Sequence, residues 1–374
     1  MPDERRDLWW DSPTRELGRV AHLHLADPFV AVHGGSLPDI QMSYEAWGEL
    51  NRAGDNAVLI VHPMTTDCHV TGDFFDQPPG WWEALVGPGR PLDTDRYFVV
   101  CPNLVGGCYG ATGPRFPAAD GEPYFERFPL LTPRDLMRLQ RVFVEQIGIR
   151  RLALVIGPSL GAMIAWEWAI EGSDLARNVA VVAAPLRTSA LQIGLNWLQR
   201  RGVEMDLETN DARATSGQTV ARGVGMLSYR SPEGLEQKFG RGWFARPGPT
   251  LAEPGVFNVE SWLRHHGRRI AKRFDPYSYL VFSRAMDLHD VTAGRGELAA
   301  ALDTVSCRTL VVGISSDTLY PAEEVKLGAE ALGRLGRDVH YAEIASVNGH
   351  DAFLLDTDQL GGILRDFLAV LEED

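Results

Sequence analysis

The segment from residue 152 to residue 170 constrains the fold more than any other part of this sequence. Residues 152–156 are apolar and predict a buried strand, whereas residues 162–170 predict a helix. Between them lies Gly157-Pro158-Ser159-Leu160-Gly161, which places a serine at a sharp turn from strand to helix. A helix that begins at this serine directs its positive end toward an oxyanion formed there. The segment therefore predicts Ser159 as a nucleophile.

Composition and charge narrow the class of protein. The chain has 374 residues and a net charge of −14, which argues against a nucleic-acid binder, because phosphate-rich partners require a basic surface. Residues 1–10 lack the apolar core of a signal peptide, and no apolar run is long enough to cross a bilayer. The few cysteines lack metal-type spacing and suggest reduced thiols: Cys68, Cys101, Cys108 and Cys307. These features predict a soluble cytoplasmic protein without a metal, nucleic-acid or membrane partner.

Strand and helix patterns alternate along most of the chain, which predicts a mostly parallel central sheet with helices on both faces. The pattern changes between residues 186 and 290, where helical patterns dominate. We interpret residues 186–290 as a helical lid inserted into a core formed by residues 1–185 and 291–374. Residues 1–25 are polar and charged, and we expect them to form an N-terminal arm.

Two further residues follow later strands in the order expected of an α/β-hydrolase fold, which is serine, acid and histidine. Asp317 comes just after the predicted strand 309–314, and His350 comes just after the predicted strand 339–344. Each alone has an ordinary alternative, a helix cap for Asp317 and a surface loop for His350. Together they predict a triad with Ser159 as nucleophile, His350 as general base and Asp317 as the group that orients the imidazole.

An oxyanion hole requires two backbone N–H groups close to the nucleophile. One belongs to Leu160, the residue after the serine, and the other comes from the loop that follows an earlier strand. Here that loop is residues 62–65, and because Pro63 has no N–H, Met64 is the better candidate.

Several longer motifs resemble the homoserine O-acetyltransferases and related acyltransferases of the α/β-hydrolase superfamily. The resemblance covers nearly everything from about residue 29 to residue 367, and a general hydrolase would share the triad but not the lid motifs. The motifs are Asn56-Ala57-Val58-Leu59, Gly80-Trp81-Trp82, Gly106-Gly107-Cys108-Tyr109-Gly110, Leu227-Ser228-Tyr229-Arg230-Ser231, Phe239-Gly240-Arg241, Arg273-Phe274-Asp275 and Gly349-His350-Asp351-Ala352-Phe353-Leu354.

The resemblance implies roles for three more residues. The arginine and tyrosine that hold the acceptor in that family match Arg222 and Tyr229, and the acidic residue after the catalytic histidine matches Asp351. A guanidinium fits a carboxylate through two hydrogen bonds, and a carboxylate fits an ammonium group. Without the resemblance, a solvated helix residue for Arg222 and a cap for Asp351 would be the simpler interpretations.

The activity implied by the resemblance is a ping-pong transfer of an acetyl group from acetyl-CoA to the hydroxyl of L-homoserine, a step of methionine biosynthesis. Acetyl-CoA is then a substrate, and no bound cofactor is expected. The resemblance also implies a homodimer formed through the lid.

The sequence departs from the family around the nucleophile. The family usually has Gly-Gly-Ser-Met-Gly-Gly, whereas this chain has Pro158, Leu160 and Ala162 at the variable positions, and its loop 62–66 also differs. Three alternatives therefore stay open. They are another donor or acceptor such as succinyl-CoA or serine, an esterase or hydrolase with the same triad, and a catalytically silent scaffold.

Overall fold

The structure is a computed structural model that describes residues 18–72, 79–209 and 215–369. Its strands, in chain order, are β1 (Arg19–His22), β2 (Phe29–Val30), β3 (Ser36–Leu37), β4 (Gln41–Trp47), β5 (Ala57–Ile60), β6 (Val86–Gly87), β7 (Leu92–Asp93), β8 (Phe98–Pro102), β9 (Leu152–Pro158), β10 (Asn178–Val182), β11 (Trp243–Ala245), β12 (Val256–Phe257), β13 (Arg308–Ile314) and β14 (Val339–Ile344). Its α-helices are α1 (Pro133–Gln146), α2 (Leu160–Glu171), α3 (Ala190–Glu208), α4 (Ser216–Ser228), α5 (Pro232–Phe239), α6 (Asn258–Arg273), α7 (Pro276–Asp287), α8 (Leu298–Leu302), α9 (Ala322–Arg334), α10 (Ala352–Leu355) and α11 (Thr357–Ala369).

Eight of these strands form one central sheet in the order β1-β4-β8-β5-β9-β10-β13-β14. The pairs β1–β4 and β4–β8 are antiparallel. Every pair from β8 to β14 is parallel. From β8 onward the chain passes through at least one helix between successive strands of the sheet, whereas the described part of the β5–β8 connection contains only the short pair β6–β7. The prediction of a mostly parallel α/β sheet is confirmed.

The centre of the sheet is the most buried part of the molecule. All residues of β5, β9 and β10 are buried, as expected for strands that are covered on both faces. Helix α2 follows β9 and is buried from Leu160 to Ile170, so it lies inside the protein rather than on its surface. The turn between β9 and α2 is therefore held by rigid elements on both sides.

Residues 186–290 are mainly helical, and the two ends of this segment lie next to each other. Arg187 and Asp290 form a β-bridge. Beside it, the Thr188 N–H donates to the His289 carbonyl and the Val291 N–H donates to the Leu186 carbonyl, both at 3.0 Å. These contacts lie at the predicted ends of the insertion. Its assignment as a separate lid domain stays a prediction.

The insertion also contains a short antiparallel pair, β11 with β12, that the helical patterns did not predict. The Trp243 and Phe257 rings stack across this pair with centroids 3.8 Å apart. Two strands this short depend on such a ring contact and on neighbouring helices for stability.

The predicted N-terminal arm is wrong for the part of it that forms β1. Residues 1–17 lie outside the described residues, but residues 19–22 pair with β4, from Arg19 opposite Tyr44 to His22 opposite Gln41. Only Ala21 of this strand is buried. An edge strand is held mainly by its backbone hydrogen bonds and has no need of an apolar sequence, which explains the wrong expectation.

Candidate active site

The turn between β9 and α2 places Ser159 in an unusual backbone conformation. Ser159 has φ 57° and ψ −121°, a region that non-glycine residues rarely occupy. The Ser159 N–H donates to the Val182 carbonyl of β10 at 3.0 Å, which ties the turn to the neighbouring strand. Such strain persists where the surrounding structure fixes it, as is common at functional sites.

The two glycines of the turn are required by close backbone contacts. A Cβ added to Gly161 would lie 2.0 Å from the Val61 carbonyl oxygen, and one added to Gly157 would lie 2.4 Å from the Gly161 carbonyl group. Neither contact involves a flexible side chain that could move aside. Gly161 therefore lets helix α2 begin directly against the loop that follows β5.

Replacing Gly161 by alanine is expected to lower the free energy of unfolding by about 3 kcal/mol, the upper range for overpacking a rigid site. The shift of the turn should also remove most activity, because Ser159 moves with it. Thermal unfolding and an assay of catalytic activity measure the two effects. Gly362 of α11 has open space around it, so Gly362→Ala is the control and should be neutral or slightly stabilising. If Gly161→Ala and Gly362→Ala had the same melting temperature and the same activity, the steric argument would be contradicted.

The structure brings Ser159, His350 and Asp317 together in one hydrogen-bonded chain. The His350 Nε2 atom lies 2.9 Å from the Ser159 hydroxyl, and its Nδ1 atom lies 2.6 Å from Asp317 Oδ2. All three residues are buried. The other Asp317 oxygen accepts hydrogen bonds from the backbone N–H groups of Leu319 and Tyr320, at 2.8 and 2.9 Å. The carboxylate is thus fixed in orientation and has one oxygen directed at the imidazole.

Three aromatic rings surround His350 and restrict its movement. The centroids of Tyr320, Phe353 and Tyr229 lie 5.0, 5.3 and 5.8 Å from that of the imidazole. The Tyr320 hydroxyl is buried and has no hydrogen-bond partner among the described residues. Burial raises the pKa of Tyr320 well above its ordinary value, so its hydroxyl stays neutral. Nothing in the local sequence around Tyr320 or Phe353 indicates contact with His350, so these two residues could not be predicted as part of the site.

The loop after β5 contains Met64, the second residue predicted for the oxyanion hole. His62 fixes this loop: its Nδ1 atom lies 2.9 Å from the Pro63 carbonyl oxygen, and its Nε2 atom accepts the Leu104 N–H at 3.0 Å. These partners define a neutral imidazole with the proton on Nδ1, and burial lowers the pKa of His62 accordingly. The Pro63 carbonyl and the Met64 N–H belong to one planar peptide group and point in opposite directions, so His62 also orients that N–H.

Arg222 and Tyr229 lie together on the side of the site formed by the insertion, residues 186–290. Arg222 is on α4, and Tyr229 follows the end of that helix, with the guanidinium carbon 5.7 Å from the ring centroid. The Arg222 Nη1 atom donates to the hydroxyl of Thr65 at 3.2 Å, which connects the insertion to the loop after β5. Burial raises the pKa of Tyr229, although the charge of Arg222 acts against that shift.

Asp351 lies next to His350 and is paired with a residue whose sequence context gives no sign of the contact, Arg230. Arg230 Nη2 lies 2.9 Å from Asp351 Oδ2. Burial raises the pKa of Asp351, and the charges of Arg230 and Arg222 oppose that rise. The Asp351 N–H donates to the Tyr229 carbonyl at 3.2 Å, so the backbone of the insertion also contacts the loop that carries His350. The structure thus places Tyr229 and Asp351 beside His350, with Arg222 against the Tyr229 ring.

The family-divergent positions at the turn face the protein interior. Leu160 and Ala162 are fully buried, and Pro158 ends β9 opposite Val182. Within the described ranges no cluster of histidine, cysteine, aspartate and glutamate could hold a metal ion. In the same part of the chain, no helix combines the length and apolar character needed to cross a membrane.

Comparison with known proteins agrees with this geometry. A family model described as alpha/beta hydrolase fold matches residues 56–356. The homoserine O-acetyltransferase of Moorella thermoacetica is 39% identical over 350 residues, covering 91% of this chain and 93% of that protein. The crystal structure of homoserine O-acetyltransferase from Bacillus anthracis superposes with a TM-score of 0.86 at 25% identity, covering 94% of this chain and 98% of that one.

The same fold also occurs in a hydrolase. The crystal structure of esterase E22 superposes with a TM-score of 0.83 at 24% identity, covering 94% of this chain and 99% of that one, a likeness of fold alone. The relationship to the Moorella thermoacetica protein is closer than that to the esterase, because it has 39% identity over 91% of this chain. This chain belongs to the homoserine O-acetyltransferase family, within the α/β-hydrolase fold.

Proposed function

We propose that the protein transfers an acetyl group from acetyl-CoA to the hydroxyl of L-homoserine through a Ser159 acyl-enzyme. The observation that carries the proposal is the hydrogen-bonded chain Asp317–His350–Ser159, whose distances are 2.6 and 2.9 Å, with Arg222 and Asp351 beside it. The relatives named homoserine O-acetyltransferase support the same activity. Acetyl-CoA is a substrate in this scheme, and no resident cofactor takes part.

In the first half-reaction the Ser159 hydroxyl attacks the thioester carbon while His350 Nε2 takes its proton. The resulting oxyanion accepts hydrogen bonds from the N–H groups of Leu160 and Met64, close to the positive end of α2. The carbon–sulfur bond then breaks, and the imidazolium returns the proton to the CoA sulfur. Asp317 holds the imidazole in the tautomer that can accept the serine proton.

In the second half-reaction the homoserine hydroxyl attacks the acetyl-serine, and His350 takes the hydroxyl proton. Collapse of the tetrahedral intermediate releases O-acetylhomoserine, and the proton returns to Ser159. Arg222 is suited to the acceptor carboxylate, with Tyr229 packed beside it. Asp351, paired with Arg230, is suited to the acceptor ammonium group. Holding both ends of the amino acid directs its hydroxyl to the acyl-enzyme in preference to water.

The test is a comparison of acceptors and donors with the purified protein. Acetyl-CoA is supplied with homoserine, with serine or with no acceptor, and free thiol and O-acetylhomoserine are both measured. The proposal expects thiol release that depends on homoserine and equals the ester formed. Thiol release at the same rate without an acceptor, and no ester, would identify a hydrolase. Preference for succinyl-CoA as the donor, or for serine as the acceptor, would indicate a related acyltransferase with different substrates.

Arg222 separates a transferase from a hydrolase. Arg222→Ala is expected to raise the KM for homoserine about 100-fold, since a charge-assisted bidentate contact contributes about 2–3 kcal/mol. Acylation of Ser159 without acceptor should change little, because Arg222 acts on the second substrate. Arg222→Lys keeps the charge but not the fork and should give an intermediate KM. An unchanged KM for homoserine in both variants would exclude the carboxylate role.

The homodimer through the lid also stays a prediction. Helix α3 carries Leu191, Leu198 and Met205 at seven-residue intervals, and their exposed fractions are 64, 50 and 57%. Residues at this spacing lie on one helix face, and an exposed apolar stripe of this kind favours a protein–protein contact.

A further inference from the structure

A basic cavity of about 460 Å³ lies on the lid, between α6 and the pair β11–β12. One wall is formed by charged side chains of α6, and the other includes two apolar residues of the strand pair. The charged residues are Arg264, Arg268, Arg269 and Lys272, and the apolar ones are Phe244 and Val256. None of the residues assigned to the reaction above lines this cavity, which we call the α6 groove.

The basic side chains lie on the face of α6 that does not pack against the protein. Gly267, Ile270 and Ala271 are the buried residues of this helix, and Gly267 lies against Thr219 of α4. Arg268 and Lys272 are one helical turn apart on another face and are exposed. Packing of α6 therefore gives no reason for these charges. With Arg264 one turn earlier, the row of cations extends over about 12 Å.

The charge of the groove is opposite to that of the whole chain. The protein has a net charge of −14, whereas α6 has five Lys or Arg side chains and a single acidic one, Glu260. Glu260 caps the start of the helix by accepting the Phe257 N–H at 2.6 Å. Among the described residues, no acidic side chain forms an ion pair with the four cations of the groove. An unpaired cluster of this kind is suited to an anionic ligand.

The opposite wall offers a surface for a flat ring. Phe244 is 70% exposed, the largest exposed fraction among the aromatic side chains of the described residues. An exposed ring next to a row of cations matches a ligand that has both a base and phosphate groups, because bases stack on aromatic rings and phosphates bind arginine.

The positive charge continues from the groove to the active site. His265 also lines the groove, and its ring lies 5.4 Å from that of His266. Burial and the charges of Arg222, Arg269 and Arg230 lower the pKa of His266 to about 4. Two of these arginines belong to the active site and one to the groove. Ring contacts follow the same direction: the centroids of His266 and Trp262 lie 5.1 Å apart, and the Arg230 guanidinium carbon lies 6.0 Å from the Trp262 ring centroid. The groove is thus connected to the arginine that pairs with Asp351.

We propose, on the basis of the proposed function, that the α6 groove binds the adenosine 3′,5′-bisphosphate end of the acyl-CoA donor. The phosphates lie along the row formed by Arg264, Arg268 and Lys272, and the adenine stacks on Phe244. The pantetheine arm separates these phosphates from the thioester, so they are bound away from Ser159. The groove thereby supplies the local positive charge that an acidic protein needs to attract CoA.

The test uses the full chain and the double variant Arg268→Gln/Lys272→Gln. Its KM for acetyl-CoA is expected to rise about tenfold, while kcat and the KM for homoserine stay unchanged. S-acetylpantetheine, which has no nucleotide, should serve the wild type and the double variant equally well. Phe244→Ala should raise the KM for acetyl-CoA by a similar factor through lost stacking. The matched control is Lys326→Gln/Arg334→Gln on α9, where the same two residue types are exposed.

Direct binding distinguishes failure of this inference from failure of the proposed function. Adenosine 3′,5′-bisphosphate, titrated calorimetrically, should bind the wild type and the control variant but bind the double variant about tenfold more weakly. Equal affinity in all three proteins, or binding of inorganic phosphate as strong as that of the nucleotide, would overturn the groove assignment. Absence of O-acetylhomoserine from either donor would instead refute the proposed reaction, and the binding result would still decide the groove.

Discussion

Replacing Ser159 by alanine is expected to lower kcat for O-acetylhomoserine formation by about 10⁴-fold or more, with the fold unchanged. Among the described residues, the Ser159 hydroxyl is the group that His350 Nε2 contacts, at 2.9 Å, and none of them offers a second nucleophile to that nitrogen. Removing the nucleophile of a triad leaves only the rate that substrate binding and the oxyanion hole provide. Acetyl-CoA without acceptor should acetylate the wild type once, at Ser159, and should leave the variant unmodified in a mass spectrum.

Ser306 provides a matched control for this substitution. Ser306 lies at the protein surface, outside the insertion, and its hydroxyl donates to that of Ser173 at 3.2 Å. Ser306→Ala therefore makes the same chemical change away from the site. It should keep full activity. If Ser159→Ala retained activity within about tenfold of the wild type while its melting temperature was normal, the acyl-enzyme mechanism would be wrong.

Asp317→Asn is expected to lower kcat by about 10⁴-fold at an unchanged melting temperature, for a reason that depends on hydrogen-bond direction. One oxygen of Asp317 already accepts the N–H groups of Leu319 and Tyr320. In the variant, the amide oxygen must keep that place, so the amide NH₂ faces His350 Nδ1. That nitrogen then becomes an acceptor, and the proton moves to Nε2, which can no longer take the proton of Ser159.

The steady-state rate and the single-turnover acylation rate of the Asp317 variant both test this argument. Acylation should slow as much as turnover, since the defect lies in proton removal from Ser159. The Asp338 side chain is exposed at the protein surface, outside the insertion. Asp338→Asn is therefore the control and should have no effect. Activity of Asp317→Asn within about tenfold of the wild type would mean that the imidazole tautomer is set by another group.

The sequence could predict the elements on which the site is built because their signals are local. An apolar run, a turn with two glycines and a helix pattern identify the position of Ser159 without knowledge of its neighbours. Asp317 and His350 each follow a buried strand, and the carboxyl ends of parallel strands meet at one edge of a sheet. The structure brings these three residues together, and their catalytic roles await the variants above.

Other features could not be predicted because they depend on partners far away in the sequence. Strand β1 is held by its backbone pairing with β4 and has almost no apolar pattern of its own. The ion pair of Arg230 with Asp351 joins the lid to the histidine loop, and neither residue signals it locally. The row formed by Arg264, Arg268 and Lys272 is different, because its four-residue spacing is visible in the sequence. A binding role for this row could be inferred only from the cavity beside it.

The hydrogen bonds that join the two ends of the insertion affect how the chain folds. Strands β10 and β13 are neighbours in the sheet, yet the whole of residues 186–290 lies between them in the sequence. Closing so long a loop is entropically unfavourable and slows folding when the loop is unstructured. The contacts of Leu186 and Thr188 with Val291 and His289 join the two ends of the insertion. Once the inserted helices have folded, the effective loop is short, and the last parallel strands can add to the sheet without a long search.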